Sequence, residues 1–135
     1  MKLYRARFEA SGTGSKPHAI LALAVFCADT QVAAEKMASS MKLTFAQLRT
    51  GRPGRMPSPD EVASHAWTPA EKSVVEFVER LQIVGTPEHC RARILEVAER
   101  TKADEVMIAS HAWDPSARVR SYELLAEAFE LGDRP

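Results

Sequence analysis

The pattern of apolar and polar residues divides the chain into alternating strand and helix segments. Ala19–Ala28 is an uninterrupted apolar run, which is typical of a strand covered on both faces in a parallel sheet. A buried helix is the alternative, but the Asp29–Thr30 pair that follows is a good opening for the next helix and favours the strand. Gln82–Val84 and Glu105–Ser110 predict two further, shorter strands.

The segments between these strands have helical periodicity and clear end signals. Apolar residues recur at helical spacing over Thr30–Thr50, and Gly51 provides the stop. Met1–Phe8 predicts a short amphipathic helix or the last turns of a longer one. Three later helices open with a capping residue and a proline: Thr68-Pro69, Thr86-Pro87 and Asp114-Pro115. Of these three, only the first adds an acidic residue, Glu71, at the capping-box position.

The order strand, helix, strand, helix, strand, helix predicts parallel strands joined by right-handed crossovers. The residues of the loops between these strands and helices are typical of the C-terminal part of an α/β barrel. We interpret residues 51–67, which contain Gly51, Pro53, Gly54 and Pro57, as a long irregular excursion. Loops of that length are usually lids, binding loops or disordered segments. The length of 135 residues predicts one domain, residues 1–135.

The composition excludes several classes of function. Eighteen basic and eighteen acidic side chains cancel, and no basic run carries interleaved aromatics, so neither nucleic acid nor a membrane is an expected partner. The longest apolar run is about half the length that crosses a bilayer. The start of the chain has no secretory pattern. Cys27 and Cys90 do not make a disulfide framework, so we expect a reduced, cytoplasmic protein.

The ordered series of elements resembles one family. Val84-Gly85-Thr86-Pro87-Glu88, with the helix that follows, resembles the loop and helix after the seventh strand of bacterial luciferase-like flavin-dependent monooxygenases. Ala103–Ile108 resembles their eighth strand, and Asp114–Phe129 resembles their closing helix. Upstream, Leu21–Thr30 resembles their sixth strand with its cap, and Leu48–Gly54 resembles an excursion found in one branch.

The resemblance implies an α/β fold that is a partial TIM-type (β/α) barrel. About the last three strand–helix units would be present, with parallel strands as consecutive staves. It further implies the C-terminal part of a reduced-flavin-dependent monooxygenase or oxidoreductase that acts on a small organic substrate. The cofactor would be flavin mononucleotide, or the deazaflavin that some relatives use. The front half would carry most flavin contacts and the catalytic residues, so neither flavin binding nor activity is expected of this chain alone.

Physical chemistry adds an expectation about partners. Three parallel strands leave two unpaired edges and one sheet face without an opposite wall. Exposing four apolar side chains would cost on the order of 6–12 kcal/mol, comparable with the stability of a domain. We therefore expect a homo-oligomer, a complementing chain or a rearranged open sheet. A non-catalytic, self-associating scaffold or small-molecule-binding module is the alternative function, and a helical interaction protein is the least favoured.

In a barrel, functional residues lie at the carboxyl ends of the strands. By resemblance the predicted flavin-binding residues are Gly85, Thr86, Ser110 and His111. Gly85-Thr86 suits a phosphate because it opens a helix, although a tight turn with an ordinary cap explains it too. His111 is the only catalytic candidate, as a donor or base, and a structural loop histidine is the alternative. The catalytic residues therefore stay unassigned.

The remaining reactive side chains have simpler explanations. We interpret Cys27 and Cys90 as buried small hydrophobes, since neither has a motif around it. The histidines and cysteines show no metal-ligand spacing, so no metal site is expected. Trp113 could line an apolar pocket, although packing on the closing helix is favoured. A basic cluster of three arginines could bind a phosphate or simply be solvated: Arg49, Arg52 and Arg55.

Overall fold

The computed structural model describes residues 1–10, 14 and 16–132, which form an α/β arrangement of helices around a small parallel sheet. The three predicted strands and the helices between them are confirmed. In chain order the elements are α1 Lys2–Ala6, β1 Ile20–Cys27, α2 Gln31–Arg49, α3 Pro59–Ala63, α4 Pro69–Glu79, β2 Gln82–Gly85, α5 Pro87–Thr101, β3 Glu105–Ala109 and α6 Pro115–Ala128. None of the helices in these described residues is long and apolar enough to cross a bilayer.

The sheet is parallel, as predicted, but its strand order is β2-β1-β3. Consecutive staves of a barrel would place β2 in the middle, so that part of the prediction is wrong. The length of β1 explains the difference. Its C-terminal half, Ala24–Cys27, pairs with β2, and its N-terminal half, Ile20–Ala24, pairs with β3 on the other side. A long apolar strand that can bury both faces and serve two partners takes the central position.

Helices cover the two sheet faces unequally. On one face, α5 and α6 pack against Val25, Cys27 and Ile83 to form a buried cluster. On the other face, α2 packs against β2 and against the end of β1 around Phe26. The N-terminal half of that second face stays open, where Ile20 is 49% exposed and Met107, the register partner of Ala22 on the same face, is 53% exposed. The chain therefore has the incompletely covered sheet that the three-strand count predicted.

All three predicted helix caps form. Thr68 and Glu71 make a complete capping box at the start of α4. The hydroxyl of Thr86 accepts a hydrogen bond from the amide of His89, and the carboxylate of Asp114 accepts one from the amide of Ser116. These caps fix where each helix starts after its strand or loop, and therefore which residues lie at the carboxyl edge of the sheet.

The segment 51–67 is not wholly irregular, which corrects the prediction. Residues 59–63 form the helix α3, and its cap residue Ser58 makes a reciprocal capping box with Glu61. Ser58-Pro59-Asp60-Glu61 has the same cap, proline and acid order as the start of α4, but prolines and glycines surround it and mask the signal. We refer to residues 52–67 as the strap. The strap is held against α2 by the buried side chain of Val62, among others.

Both ends of the strap are tied to one buried carboxylate, that of Glu71. Its Oε1 lies 3.0 Å from Nη2 of Arg52, and its Oε2 lies 3.2 Å from Nε2 of His65. The amide and hydroxyl of Thr68 donate to the same Oε2 at 2.9 and 3.0 Å. The hydrogen bond from the Thr68 amide, followed by those from His65 and the Thr68 hydroxyl, lowers the pKa of Glu71 to about 2 against the opposing effect of burial. A fully buried acid therefore stays ionised and holds the strap in place.

Candidate functional site

The carboxyl ends of the strands meet beneath α2 and the strap. Phe26, near the end of β1, is fully buried in a cluster with Met37 and Met41 of α2 and with Ala112, which follows β3. Met56 of the strap packs on the same cluster. The carboxyl edge of the sheet, where function is expected, is thus an apolar layer covered by methionine side chains, which adapt easily to irregular shapes.

Helix α6 satisfies the backbone at this edge with two side chains that no sequence signal indicated. The amide of Cys27 donates to the fully buried Oγ of Ser121 at 3.0 Å. The amide of Ser110 donates to the hydroxyl of Tyr122 at 2.9 Å. Both amides lie beyond the last β1–β3 pair, Ala24 with Ala109, so neither has a strand partner on that side. The stagger between the two strands, which periodicity does not reveal, creates the need for these acceptors.

Contacts within the chain account for Gly85. An added Cβ at that position would lie 2.7 Å from Cδ2 of His89 and 3.0 Å from Oε1 of Gln31. The absence of a side chain therefore lets the His89 ring and the start of α2 approach the end of β2. The tight-turn explanation of Gly85 fits this geometry, and its role toward a flavin stays a prediction.

The start of α5 is also satisfied locally. Thr86 caps the helix, and Pro87 removes one of the free amides. The carboxylate of Glu88 interacts with its own backbone N–H and with the Thr86 hydroxyl, and these hydrogen bonds lower the pKa of Glu88. An acid in the first turn already offsets the positive end of the helix dipole. A phosphate would have to compete with it, so the binding role of Thr86 remains a prediction.

Ser110 and His111 have different surroundings. Ser110 is 5% exposed, and its Oγ has no hydrogen-bond partner among the described residues. A buried hydroxyl without a partner is costly, which makes Ser110 the predicted site residue with a free polar atom to offer a ligand. His111, the next residue, is exposed. Trp113 is 47% exposed and only partly packed.

The four predicted flavin residues do not form one close group. Gly85 ends β2 and Thr86 follows it, whereas Ser110 and His111 follow β3, and β1 lies between these two strands. Two strand spacings amount to about 10 Å. The described residues therefore do not complete a flavin site by themselves, and we derive no chemical step through a flavin from them.

A cleft of about 580 Å³ lies beside the end of β1, between the start of α5 and helix α6. Arg120 crosses it, with Nη2 at 3.1 Å from Asp29 and Nη1 at 3.3 Å from Glu127. Leu124, a core residue of α6, also lines it. No sequence pattern indicated this cleft. Asp29 and Pro87 each lie two residues beyond the end of a strand, and that position was the signal that could have indicated the cleft.

The three arginines of the predicted basic cluster have defined contacts in the structure. Arg52 is paired with Glu71, and Arg55 is paired with Glu61. Arg49 lines a shallow surface pocket with Phe77 of α4.

In the part of the chain that the structure describes, no three histidine, cysteine or acidic side chains are grouped to hold a metal ion.

The fold and this edge define an α/β protein whose candidate functional surface lies at the carboxyl ends of parallel strands. The family model of the luciferase-like monooxygenases matches residues 1–127, and the chain belongs to that family. The resemblance seen in the sequence is thereby confirmed.

Individual relatives match along almost the whole chain. The uncharacterized protein YvbT of Bacillus subtilis (strain 168) is 32% identical over 130 residues, which cover 96% of this chain and 39% of YvbT. A luciferase-like monooxygenase of Escherichia coli (strain K12) is 31% identical with the same coverage. The crystal structure of apo-MsnO8 superposes with a TM-score of 0.79 at 28% identity, over 98% of this chain and 41% of that one. The chain thus spans about two fifths of the length of these relatives.

Proposed function

We propose that this chain forms the C-terminal wall of a luciferase-like, reduced-flavin-dependent monooxygenase. The observation that carries the proposal is the family match over residues 1–127 combined with coverage of 39% of the relatives' length. A wall of this size holds part of the carboxyl edge on which a barrel enzyme builds its site, and the other strands supply the rest.

The partly open sheet supports this proposal. Ile20 and Met107 are half exposed on the face opposite α5 and α6, where a closed barrel would fill its interior with side chains of the other strands. In the described residues β3 also has no strand on its outer edge. A partial TIM-type barrel would have β1 and β3 as neighbouring barrel strands, with the short strand β2 paired to the other side of β1. Such a partial barrel accounts for the half-exposed sheet face and for the unpaired edge of β3.

Within the completed enzyme, Ser110 is the residue of this chain that we assign to ligand contact. Its buried hydroxyl can donate one hydrogen bond and accept others, so it would orient a flavin or substrate group at the end of β3. The methionine-covered layer around Phe26 would keep water from that part of the site. A reduced flavin, when bound by the whole barrel, supplies the electrons that activate oxygen.

The test is complementation. The present chain is mixed with the complementary front segment of the E. coli relative, and reduced-flavin-dependent oxygen consumption and flavin absorbance are followed. We expect no spectral change with this chain alone and recovered flavin binding with both segments. Ser110→Ala should weaken the recovered binding, whereas Ser116→Ala, an exposed serine of α6, should not. Absence of flavin binding by the mixture, although a complex forms, would contradict the proposal and favour the non-catalytic binding module.

A further inference from the structure

The only two cysteines of the chain meet in the core. Cys27 is the last residue of β1, and Cys90 lies in the first turn of α5. Their exposed fractions are 1% and 0%. Both belong to the buried cluster beneath α5 and α6, although 62 residues separate them in the sequence. Burial alone would make them inert hydrophobes, so their mutual position decides what they can do.

The sulfur of Cys90 sits over the two strand ends. Its Sγ lies 3.5 Å from the carbonyl oxygen of Gly85 and 3.9 Å from that of Phe26. Gly85 is the register partner of Cys27, and Phe26 precedes Cys27 in the chain. Neighbouring parallel strands are about 4.8 Å apart. Because the Cys90 Sγ is close to the ends of both β1 and β2, it lies beside the side chain of Cys27, the last residue of β1.

The two thiols have unequal chemistry. Hydrogen bonding between them lowers the pKa of Cys27, and Arg120 lowers it further, against opposing effects of burial, Asp29 and Glu88. The same hydrogen bond, together with burial, raises the pKa of Cys90. Cys27 is therefore the better nucleophile, and Cys90 keeps its proton.

The cleft beside β1 borders the cluster that encloses the two thiols. Asp29, Glu88 and Arg120, the charged residues that act on Cys27, are also residues that line this cleft. Leu124 belongs both to the cleft lining and to the cluster that encloses the cysteines. The cleft and the cluster that encloses the thiol pair therefore share a boundary at Leu124.

We propose that Cys27 and Cys90 form a redox-active pair that hydrogen peroxide oxidises to an intramolecular disulfide. The Cys27 thiolate attacks one peroxide oxygen and the O–O bond breaks. Cys27 becomes a sulfenic acid, and the hydroxide released takes up a proton to give water. The Cys90 sulfur then attacks the Cys27 sulfur, its proton goes to the departing hydroxyl group, and a second water leaves. Two thiols lose two electrons and peroxide is reduced to two waters.

The product would join the end of β1 to the start of α5. A disulfide there closes a long loop that contains α2, the strap and α4, so it restricts the unfolded chain strongly. The oxidised protein should therefore melt at a higher temperature than the reduced protein, and dithiothreitol should reverse the change.

The experiment treats the full native chain with hydrogen peroxide and measures the intact mass and the tryptic map. We expect a loss of two hydrogens, and the peptide Leu81–Arg91 linked to the peptide that ends at Lys36. The intramolecular bond should form at least about tenfold faster in the native chain than in guanidinium, because the fold holds the sulfurs together. Two free thiols after treatment, or only intermolecular links, would overturn the proposal.

Single variants test the two roles. In Cys90→Ala, the Cys27 sulfenic acid has no resolving thiol and should be trapped by dimedone. In Cys27→Ala, Cys90 should stay unlabelled over the same time. Equal labelling of both variants would refute the assigned order of attack. If a variant fails to fold, the rate comparison on the unaltered chain still decides the proposal.

Discussion

The guanidinium of Arg52 reaches 19 residues along the chain to contact the carboxylate of Glu71, with Nη2 3.0 Å from Oε1. Arg52 is exposed over 61% of its side chain, whereas that of Glu71 is only 1% exposed. The buried Glu71 side chain is therefore the immobile partner of this ion pair, and the exposed Arg52 side chain is the mobile one. It caps α4 and holds the strap at both ends, and the strap in turn delivers Met56 to the layer over the strand ends.

We predict that Glu71→Gln destabilises the fold by about 1–3 kcal/mol at neutral pH, because hydrogen bonds to a buried charged acceptor are lost. The pKa of Glu71 is lowered to about 2 from a model-compound value of 4.5, so its ionisation stabilises the fold above pH 4.5. That contribution is lost as the pH falls from 4.5 toward 2. Urea unfolding across this range should show the difference between the two proteins shrink as the pH falls.

Glu61 is the matched control for this experiment. It occupies the same capping-box position in α3, and its pKa is likewise lowered to about 2, chiefly by its hydrogen bond with Arg55. Its side chain is 46% exposed, however, so water screens the pair and replaces lost hydrogen bonds. Glu61→Gln should have a clearly smaller effect than Glu71→Gln. Equal effects of the two substitutions would contradict the assignment of Glu71 as the anchor of the strap.

A second prediction concerns the close contact at the end of β2. Gly85→Ala should destabilise the fold by about 1–3 kcal/mol, because the new methyl group would overlap the ring of His89. His89 is exposed, so His89→Ala alone should have little effect. The double variant should recover most of the loss, which thermal unfolding of all four proteins would measure as a coupling energy. Additive effects would show that the cost arises from the backbone or from Gln31.

A third prediction tests how α6 caps the end of β1. Ser121→Ala leaves the amide of Cys27 buried without an acceptor, so a loss of about 1–3 kcal/mol is expected. Hydrogen exchange at the Cys27 amide should accelerate in the same variant. Ser116→Ala changes an exposed serine on the same helix and should stay within about 0.5 kcal/mol of the unaltered chain. An unchanged exchange rate in Ser121→Ala would rule out the proposed cap.

The elements of this fold were predictable because their signals are local. The unbroken apolar run in β1 and the repeated cap and proline at Thr68, Thr86 and Asp114 depend only on neighbours in sequence. The helix α3 obeys the same rule and was missed only because prolines and glycines surround it. Resemblance to a family then supplied the fold class and the region of the site.

The relationships between elements were not predictable, because they depend on register. The central place of β1 follows from its pairing with different strands at its two ends. The same stagger leaves the amides of Cys27 and Ser110 without strand partners, so Ser121 and Tyr122 become necessary. The contact between Cys27 and Cys90 also arises only when α5 folds back over the sheet. Helical or strand periodicity contains no information about any of these pairings.

The last prediction addresses the open half of the sheet. Met107 is 53% exposed on the same sheet face as Ile20, so this face favours association with another surface, either a second copy or a front segment of a barrel. Met107→Lys should lower the self-association of the isolated chain, measured by sedimentation, because a charge in that contact would have to be desolvated. Val32→Lys is the control, since Val32 is 75% exposed on α2, away from this face. The same substitution at Met107 should weaken complementation with the front segment. If Val32→Lys reduces association as strongly, the contact lies on α2 and the open sheet face is not the docking surface.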